Sequence, residues 1–203
     1  SEIRDQYLYD YVDTGLNVVD SHVLVSNTLF TGNGGGVESA RDAPMRISGA
    51  SSVVTMTDNS FIDNVHDQVF LSPNAMMGQD ASLKAQTILE GYLLDGDYVV
   101  PQGITLTVDP GVTVISPYNV ELEIQGHLNA IGTPAQPITF KPQFGEWQGI
   151  YFNGGTGDLQ HVTVRDGNGA SSGGLRGNIV AKNVLTGEVR ISDSVISDHR
   201  SRG

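Results

Sequence analysis

Short runs in which apolar and polar residues alternate cover most of this 203-residue chain. Successive side chains of an extended backbone point to opposite faces, so alternation predicts strands. The N-terminal third contains five such runs, at residues 23–25, 45–47, 53–56, 61–62 and 69–71. Turn-forming residues separate them every few positions, and no run is long enough for a helix. The pattern therefore predicts an all-β chain.

The alternation changes character along the chain. Residues 72–85 lack it and contain a proline and two adjacent methionines, which indicates an irregular boundary. From residue 88 the alternation of apolar and polar residues becomes regular, with the turn sequences "PQG" and "DPG" between the apolar positions. We therefore expect one β segment over residues 1–75, an irregular linker over residues 76–87, and a second β segment over residues 88–203.

Two pairs of segments repeat. The stretch "SNTLFTG" at residues 26–32 resembles "DNSFIDN" at residues 58–64, and aligning Asn27 with Asn59 gives a spacing of 32 residues. Asp166 and Asp198, with the residues before them, repeat at the same spacing. A fixed period of 20–50 residues is typical of solenoids, in which each winding lies about 4.8 Å above the last. Asn27 and Asn59 are then predicted to form a side-chain ladder at a corner. The alternative is a β-sandwich in which the similarity of the two segments is a coincidence of turns rich in Ser, Asn and Thr.

Composition excludes several classes of function. The formal net charge is −12, from 23 acidic and 11 basic residues, so binding to nucleic acid phosphates is not expected. No cysteine is present, which excludes disulfides and cysteine-ligated metals. No apolar run approaches the roughly 18–20 residues that a spanning helix needs, so membrane insertion is not expected either.

The best candidate for chemistry is the acidic pair Asp166 and Asp198, with Arg165 and His199 beside it. Carboxylates on adjacent windings would lie about 5 Å apart, which suits a coupled acid pair or shared Ca²⁺ ligands. The alternative is a pair of solvated turn aspartates. Beyond this Ca²⁺ candidate, no cofactor is expected.

Two further groups of residues attract attention. Asp63, His66 and Asp67 could supply a base or a metal ligand, although an ordinary surface loop explains them as well. Tyrosines alternate near the N-terminus and would share one face of a strand, where they could bind carbohydrate or protein, or cap the solenoid. They are Tyr7, Tyr9 and Tyr11.

Several segments of the sequence resemble segments of a known protein family. "YVVPQGITLTVDPGVTVI", "LEIQGHLNAIGTPAQPITFKP" and "WQGIYF" are similar to the opening coils of right-handed parallel β-helix proteins of the pectate-lyase-like superfamily. "NSFIDN" and "DSVISD" resemble the later coils of these proteins. The resemblance implies a right-handed parallel β-helix and an extracellular or cell-surface location. It also implies that the sequence is part of a longer protein.

We therefore expect a non-catalytic β-helical segment of a secreted or cell-surface protein. It would serve as a rigid spacer or as an adhesion surface for glycans or proteins. The alternative is a polysaccharide lyase or glycoside hydrolase that uses Asp166 and Asp198, with Arg165 and His199. Expected partners are a polysaccharide or a surface protein, together with flanking modules of a longer chain or further copies associating end to end.

Overall fold

The computed structural model describes residues 2–3, 14–34, 42–168 and 175–198. Every regular element in these ranges is a β-strand, and every pair of neighbouring strands runs parallel. The prediction of a parallel β-solenoid is therefore confirmed. A right-handed winding stays an expectation, from the strong handedness of parallel crossovers. The ranges above hold no helix long and apolar enough to cross a membrane.

The strands are short and follow one another with brief turns. In chain order they are β1 (Glu2–Ile3), β2 (Thr14–Val19), β3 (His22–Ser26), β4 (Leu29–Thr31), β5 (Ala43–Ser48), β6 (Val53–Thr57), β7 (Ser60–Ile62), β8 (Gln68–Leu71), β9 (Ala81–Leu83), β10 (Gly91–Leu94), β11 (Tyr98–Val100), β12 (Thr105–Val108), β13 (Thr113–Ser116), β14 (Glu121–Ile124), β15 (His127–Ile131), β16 (Ile138–Pro142), β17 (Gly149–Asn153), β18 (Thr156–Gln160), β19 (Val162–Arg165), β20 (Ile179–Lys182), β21 (Val189–Ser192) and β22 (Val195–Ser197). All five runs predicted in the N-terminal third lie within strands.

One sheet runs through the described part of the chain. This long sheet has the order β2-β5-β8-β10-β13-β16-β19-β22, and the chain returns to it once per winding. The N-terminal windings are completed by the sheets β3-β6 and β1-β4-β7. The C-terminal windings are completed by the four-stranded sheet β11-β14-β17-β20 and the five-stranded sheet β9-β12-β15-β18-β21. Each C-terminal winding therefore contributes one strand to each of three faces.

The cross-section of the solenoid changes around residues 72–90. The sheet of β6 ends before this stretch and the sheets of β9 and β11 begin within or just after it, while the long sheet continues. Strand β9 itself lies inside the stretch that the sequence pattern identified as irregular. The loop before β9 is attached to the preceding winding, where Gly78 N donates to Ala50 O at 2.8 Å. The division into segments at residues 76–87 stays a prediction.

Apolar side chains stack in columns inside the solenoid. The rings of Phe30 and Phe61 are parallel to within 2°, with centroids 4.7 Å apart. Val114, Phe140 and Val164 occupy matching positions of β13, β16 and β19, and all three are buried. The core is therefore a set of columns to which each winding adds one matched side chain, although the number of residues per winding varies.

The N-terminal register differs from the predicted one by a single residue. Phe30 pairs with Phe61 and Ser26 with Thr57, a spacing of 31 residues, so Asn27 is level with Asp58 and not with Asn59. The predicted ladder of Asn27 on Asn59 is therefore out of register. A slip of one residue would turn every inward side chain outward, so burial of the phenylalanines fixes the spacing at 31. In the C-terminal part the predicted spacing of 32 residues holds at Val164 and Ile196.

Strands β2–β7 and β17–β22 are each followed by a residue in the left-handed conformation, and adjacent windings repeat that residue at the same level. Asp, Asn and Gly predominate at these corners because they tolerate positive φ better than other residues. The level pairs are Asp20 and Gly49, Asn27 and Asp58, Gly32 and Asp63, Gly154 and Asn183, His161 and Asp193, and Asp166 and Asp198, with φ between 42° and 82°. The phrase "DNSFIDN" thus encodes two corners around one short strand.

Two buried tyrosines form hydrogen bonds with the backbone of the irregular stretch at residues 72–85. The Tyr92 hydroxyl donates to Lys84 O at 2.7 Å and accepts from Lys84 N at 3.1 Å. The Tyr98 hydroxyl donates to Ala75 O. Burial raises the pKa of both phenols well above their usual value. Both groups are therefore neutral in the folded protein over the whole ordinary pH range.

We expect stability to fall in alkaline solution because of these tyrosines. Their folded pKa values are raised, so their contribution to stability is constant below the unfolded value of about 10 and is lost as pH rises above it, by about 1.4 kcal/mol per pH unit for each phenol. Urea unfolding measured between neutral pH and about pH 11 checks this for the natural chain and for a Tyr92→Phe, Tyr98→Phe variant. The variant should lose less stability over that range, and parallel pH curves for the two proteins would contradict the assignment.

Candidate functional site

Asp166 and Asp198 lie level with each other on adjacent windings. They follow the paired residues Arg165 and Ser197 of β19 and β22, and Asp166 N donates to Ser197 O at 3.4 Å. Both residues are left-handed, with φ of 58° and 56°. The same corner geometry recurs at other levels of the solenoid, so the alignment of these carboxylates follows from the way that the chain turns.

The two carboxylates have different surroundings. Asp166 is buried, and its Oδ2 is paired with Nη1 of Arg165. A buried carboxylate needs such a partner because desolvation of an unpaired charge is costly. Asp198 is exposed and accepts a hydrogen bond from the Ser197 hydroxyl at 2.9 Å. The pair therefore consists of one buried carboxylate that is ion-paired with a guanidinium and one carboxylate that is exposed to solvent.

Asn178 completes this corner and was not identified from the sequence. Its Oδ1 accepts from Gly167 N at 2.6 Å, and its Nδ2 donates to Ser197 O at 2.8 Å. The side chain is buried and bridges two adjacent windings. A signal was available, since Asn178 stands directly before β20 as Asn59 stands directly before β7. Both amides satisfy backbone groups that a corner leaves unpaired.

The remaining predicted residues fall into two groups. His199 and the tyrosines Tyr7, Tyr9 and Tyr11 lie outside the described residues. Asp67 belongs to a loop, where its Oδ1 accepts from Asn64 Nδ2 at 2.6 Å and from Asn64 N at 3.3 Å. The His66 ring lies beside Phe70, with centroids 6.4 Å apart. In the described ranges, no three His, Asp or Glu side chains come together in a way that could hold a metal ion.

A second polar group lies on the outer face of the four-stranded sheet. Glu121 and Glu123 alternate with core residues of β14, and Tyr151 lies beside them on β17. Glu123 Oε1 accepts from Asn153 Nδ2 at 2.8 Å and from Gln125 Nε2 at 3.0 Å. Burial raises the pKa of the Tyr151 phenol, and the charges of Glu123 and Glu121 raise it further.

Glu121 and Tyr151 are buried in this face, at 4% and 1% exposure, whereas Glu123 is half-buried. Glu123 is thus the member of the group that can accept hydrogen bonds from hydroxyl groups of a ligand, and its charge would repel a polyanion. The sequence signal for this face was the alternation in "ELEI", which sets both carboxylates on one face of a strand. The strand prediction used only the apolar residues of this segment, so the polar group on the opposite face of the strand was missed.

Comparison with known proteins identifies no relative. No family model, curated protein or solved structure matches the chain. Membership of the pectate-lyase-like superfamily therefore stays a prediction, and only the parallel solenoid fold is established.

Proposed function

We propose that the chain is a non-catalytic solenoid segment of a secreted or cell-surface protein, where it acts as a rigid spacer. The observation that supports this most directly is the use of the candidate carboxylates in corners. Asp166 is buried against Arg165, and the left-handed backbone of Asp166 and Asp198 repeats that of corners elsewhere in the fold. The extracellular location rests on the resemblance of residues 98–152 to β-helix proteins.

The long sheet gives the spacer its length and stiffness. Eight parallel strands at the usual inter-strand spacing span roughly 34 Å, and each winding hydrogen-bonds to the next. Inward columns and corner amides reinforce the same contacts, as Asn59 does between Val25 and Gln86. Bending such a rod requires breaking several of these contacts together.

The spacer role predicts one fixed end-to-end distance. The chain has no cysteine, so spin labels can be attached at Leu24→Cys in the winding of β2–β4 and at Leu185→Cys in the winding of β19–β21, both at exposed positions. Pulsed electron resonance should give a single narrow distance distribution, on the order of 30 Å along the axis. A broad distribution, or one that shifts in low urea before global unfolding, would contradict the proposal.

A polysaccharide-degrading activity is the second candidate, favoured by the level placement of Asp166 and Asp198. We expect no new reducing or unsaturated ends when acidic and neutral polysaccharides are incubated with the protein, with or without Ca²⁺. The informative variant is Asp166→Asn, Asp198→Asn, because asparagine keeps the tolerance for positive φ while removing both charges. Product release by the natural chain that this variant abolishes, with the fold intact by circular dichroism, would overturn the non-catalytic assignment.

The outer face of β14 and β17 is the proposed adhesion surface. Because the half-buried Glu123 carboxylate repels polyanions, we expect gels containing a neutral polysaccharide to retard the protein in affinity electrophoresis and gels containing a polyuronate to leave it unretarded. Glu123→Gln keeps the shape of the face, and Asp109→Asn removes one charge elsewhere as a matched control. Equal mobility of both variants in the neutral gel would argue against this surface.

A further inference from the structure

Two aromatic side chains in the middle of the solenoid are exposed to solvent. Tyr118 lies in the turn between β13 and β14, and Phe144 lies in the turn between β16 and β17. The two residues are 50% and 78% exposed, whereas every other Phe, Tyr and Trp in the described ranges is at most 1% exposed. Packing in the core therefore accounts for the other described aromatic residues but not for these two.

The backbone places both aromatic residues at the same level of adjacent windings. Ser116 of β13 pairs with Pro142 of β16, and Gln143 N donates to Ser116 O at 2.8 Å. Tyr118 and Phe144 are each the second residue after this pair. Their backbones are therefore separated by about the 4.8 Å spacing of neighbouring strands. We call this pair of residues the aromatic corner.

Both rings of the aromatic corner lie at the outer end of a turn. Val120 N donates to Pro117 O at 3.3 Å, so Tyr118 is the second residue of a four-residue turn. The residue after each ring is exposed and left-handed, with φ of 59° at Asn119 and 64° at Gly145. Other corners of the solenoid repeat Asp, Asn or Gly because these residues tolerate positive φ. No such backbone requirement explains a repeated aromatic residue, so the two rings indicate contact with a ligand.

The surroundings of the rings favour a sugar over a protein as this ligand. The residues next to the rings include the amides Asn119 and Gln143, whereas a protein partner usually docks on a contiguous apolar patch. A sugar ring has apolar C–H groups on its faces, which can stack on an aromatic ring, and hydroxyl groups at its edges, which can hydrogen-bond to amides. The formal net charge of −12 disfavours an acidic sugar.

A hydrogen-bond acceptor lies on the strand that follows Tyr118. Glu123 is five residues further along, so the two Cα atoms are at most roughly 18 Å apart. Glu123 Oε1 accepts from Asn153 and Gln125, whereas no donor among the described residues contacts its Oε2. We propose that the aromatic corner is a stacking site for a neutral oligosaccharide, a hydroxyl group of which donates to Glu123 Oε2. This site extends the proposed adhesion surface of β14 and β17 and rests on that proposal.

Affinity electrophoresis in gels of starch, a mixed-linkage β-glucan or a galactomannan tests the stacking site. We expect at least one gel to retard the natural chain, and we expect Tyr118→Ala, Phe144→Ala to raise the dissociation constant for that polysaccharide by at least about tenfold. Leu24→Ala is the matched control, because Leu24 is 71% exposed in an N-terminal winding, and it should leave the retardation unchanged. Circular dichroism melting verifies that the variants are folded.

Two further variants distinguish stacking from a general apolar contact. Phe144→Leu keeps an apolar side chain but removes the flat face, so it should weaken binding, whereas Phe144→Trp should retain it. Full binding by Phe144→Leu would refute stacking. Retardation that Glu123→Gln abolishes but the aromatic double variant leaves unchanged would refute the stacking site and leave the adhesion surface standing. A natural chain that no gel retards would overturn both proposals.

Discussion

Replacing Phe61 with alanine is expected to lower the free energy of unfolding by about 3–5 kcal/mol. The ring is fully buried and stacks on Phe30 in the winding below, so its removal leaves a cavity between two rigid strands. Parallel windings cannot move together to close the gap, because β4 and β7 are hydrogen-bonded along their length. Equilibrium unfolding in urea, followed by circular dichroism, measures the loss.

Ile62→Ala supplies the control for this prediction. Ile62 is the next residue of the same strand but points outward and is partly exposed, so its truncation should cost less than about 1 kcal/mol. Similar losses for the two variants would mean that the stacked column does not carry the stability assigned to it. A third variant, Phe61→Leu, should fall between them, since it retains part of the buried volume.

Asn59→Ala is expected to cost about 2–4 kcal/mol, from several buried hydrogen bonds at roughly 1 kcal/mol or more each. The Asn59 side chain is fully buried at a corner. Its Oδ1 accepts from Thr28 N at 3.0 Å, and its Nδ2 donates to Val25 O and Gln86 Oε1, both at 3.0 Å. Alanine leaves backbone groups of the neighbouring winding without these partners.

The matched control is Asn129→Ala on the partly exposed outer face of β15, which should change the free energy of unfolding by less than about 0.5 kcal/mol. Amide hydrogen exchange gives a second readout for Asn59→Ala. The Thr28 amide should lose protection in this variant while amides of β15 and β18 keep theirs. Unchanged protection at Thr28 would show that the Asn59 side chain does not hold this corner.

The corner chemistry explains why the repeat is visible in the amino-acid sequence alone. Asp58 and Asp63 adopt positive φ, Asn59 and Asn64 satisfy open backbone groups, and Phe61 fills the core. Each of these tasks restricts the residue type, so the next winding reuses similar residues. The strand positions between are less restricted, which is why the two copies of the phrase share so few identities.

The alignment made from the sequence contained an error that only the pairing of the strands could correct. Aligning Asn27 with Asn59 matched two similar side chains, although one is a left-handed corner and the other lies level with Thr28. Identity of residue type cannot distinguish these two roles in a chain rich in Asn and Asp. The inward position of Phe30 and Phe61 distinguishes them at once.

By itself, the sequence determined that the chain is all-β, that its strands are short, and that two pairs of its segments repeat at a spacing of about 32 residues. These properties follow from alternation and turn chemistry, which are local. Only the tertiary structure decided the one-residue register, the burial of Asp166 against Arg165 and the change of cross-section near residue 80. Each of these depends on which winding lies above which, and that is settled by packing between residues 22 to 32 positions apart.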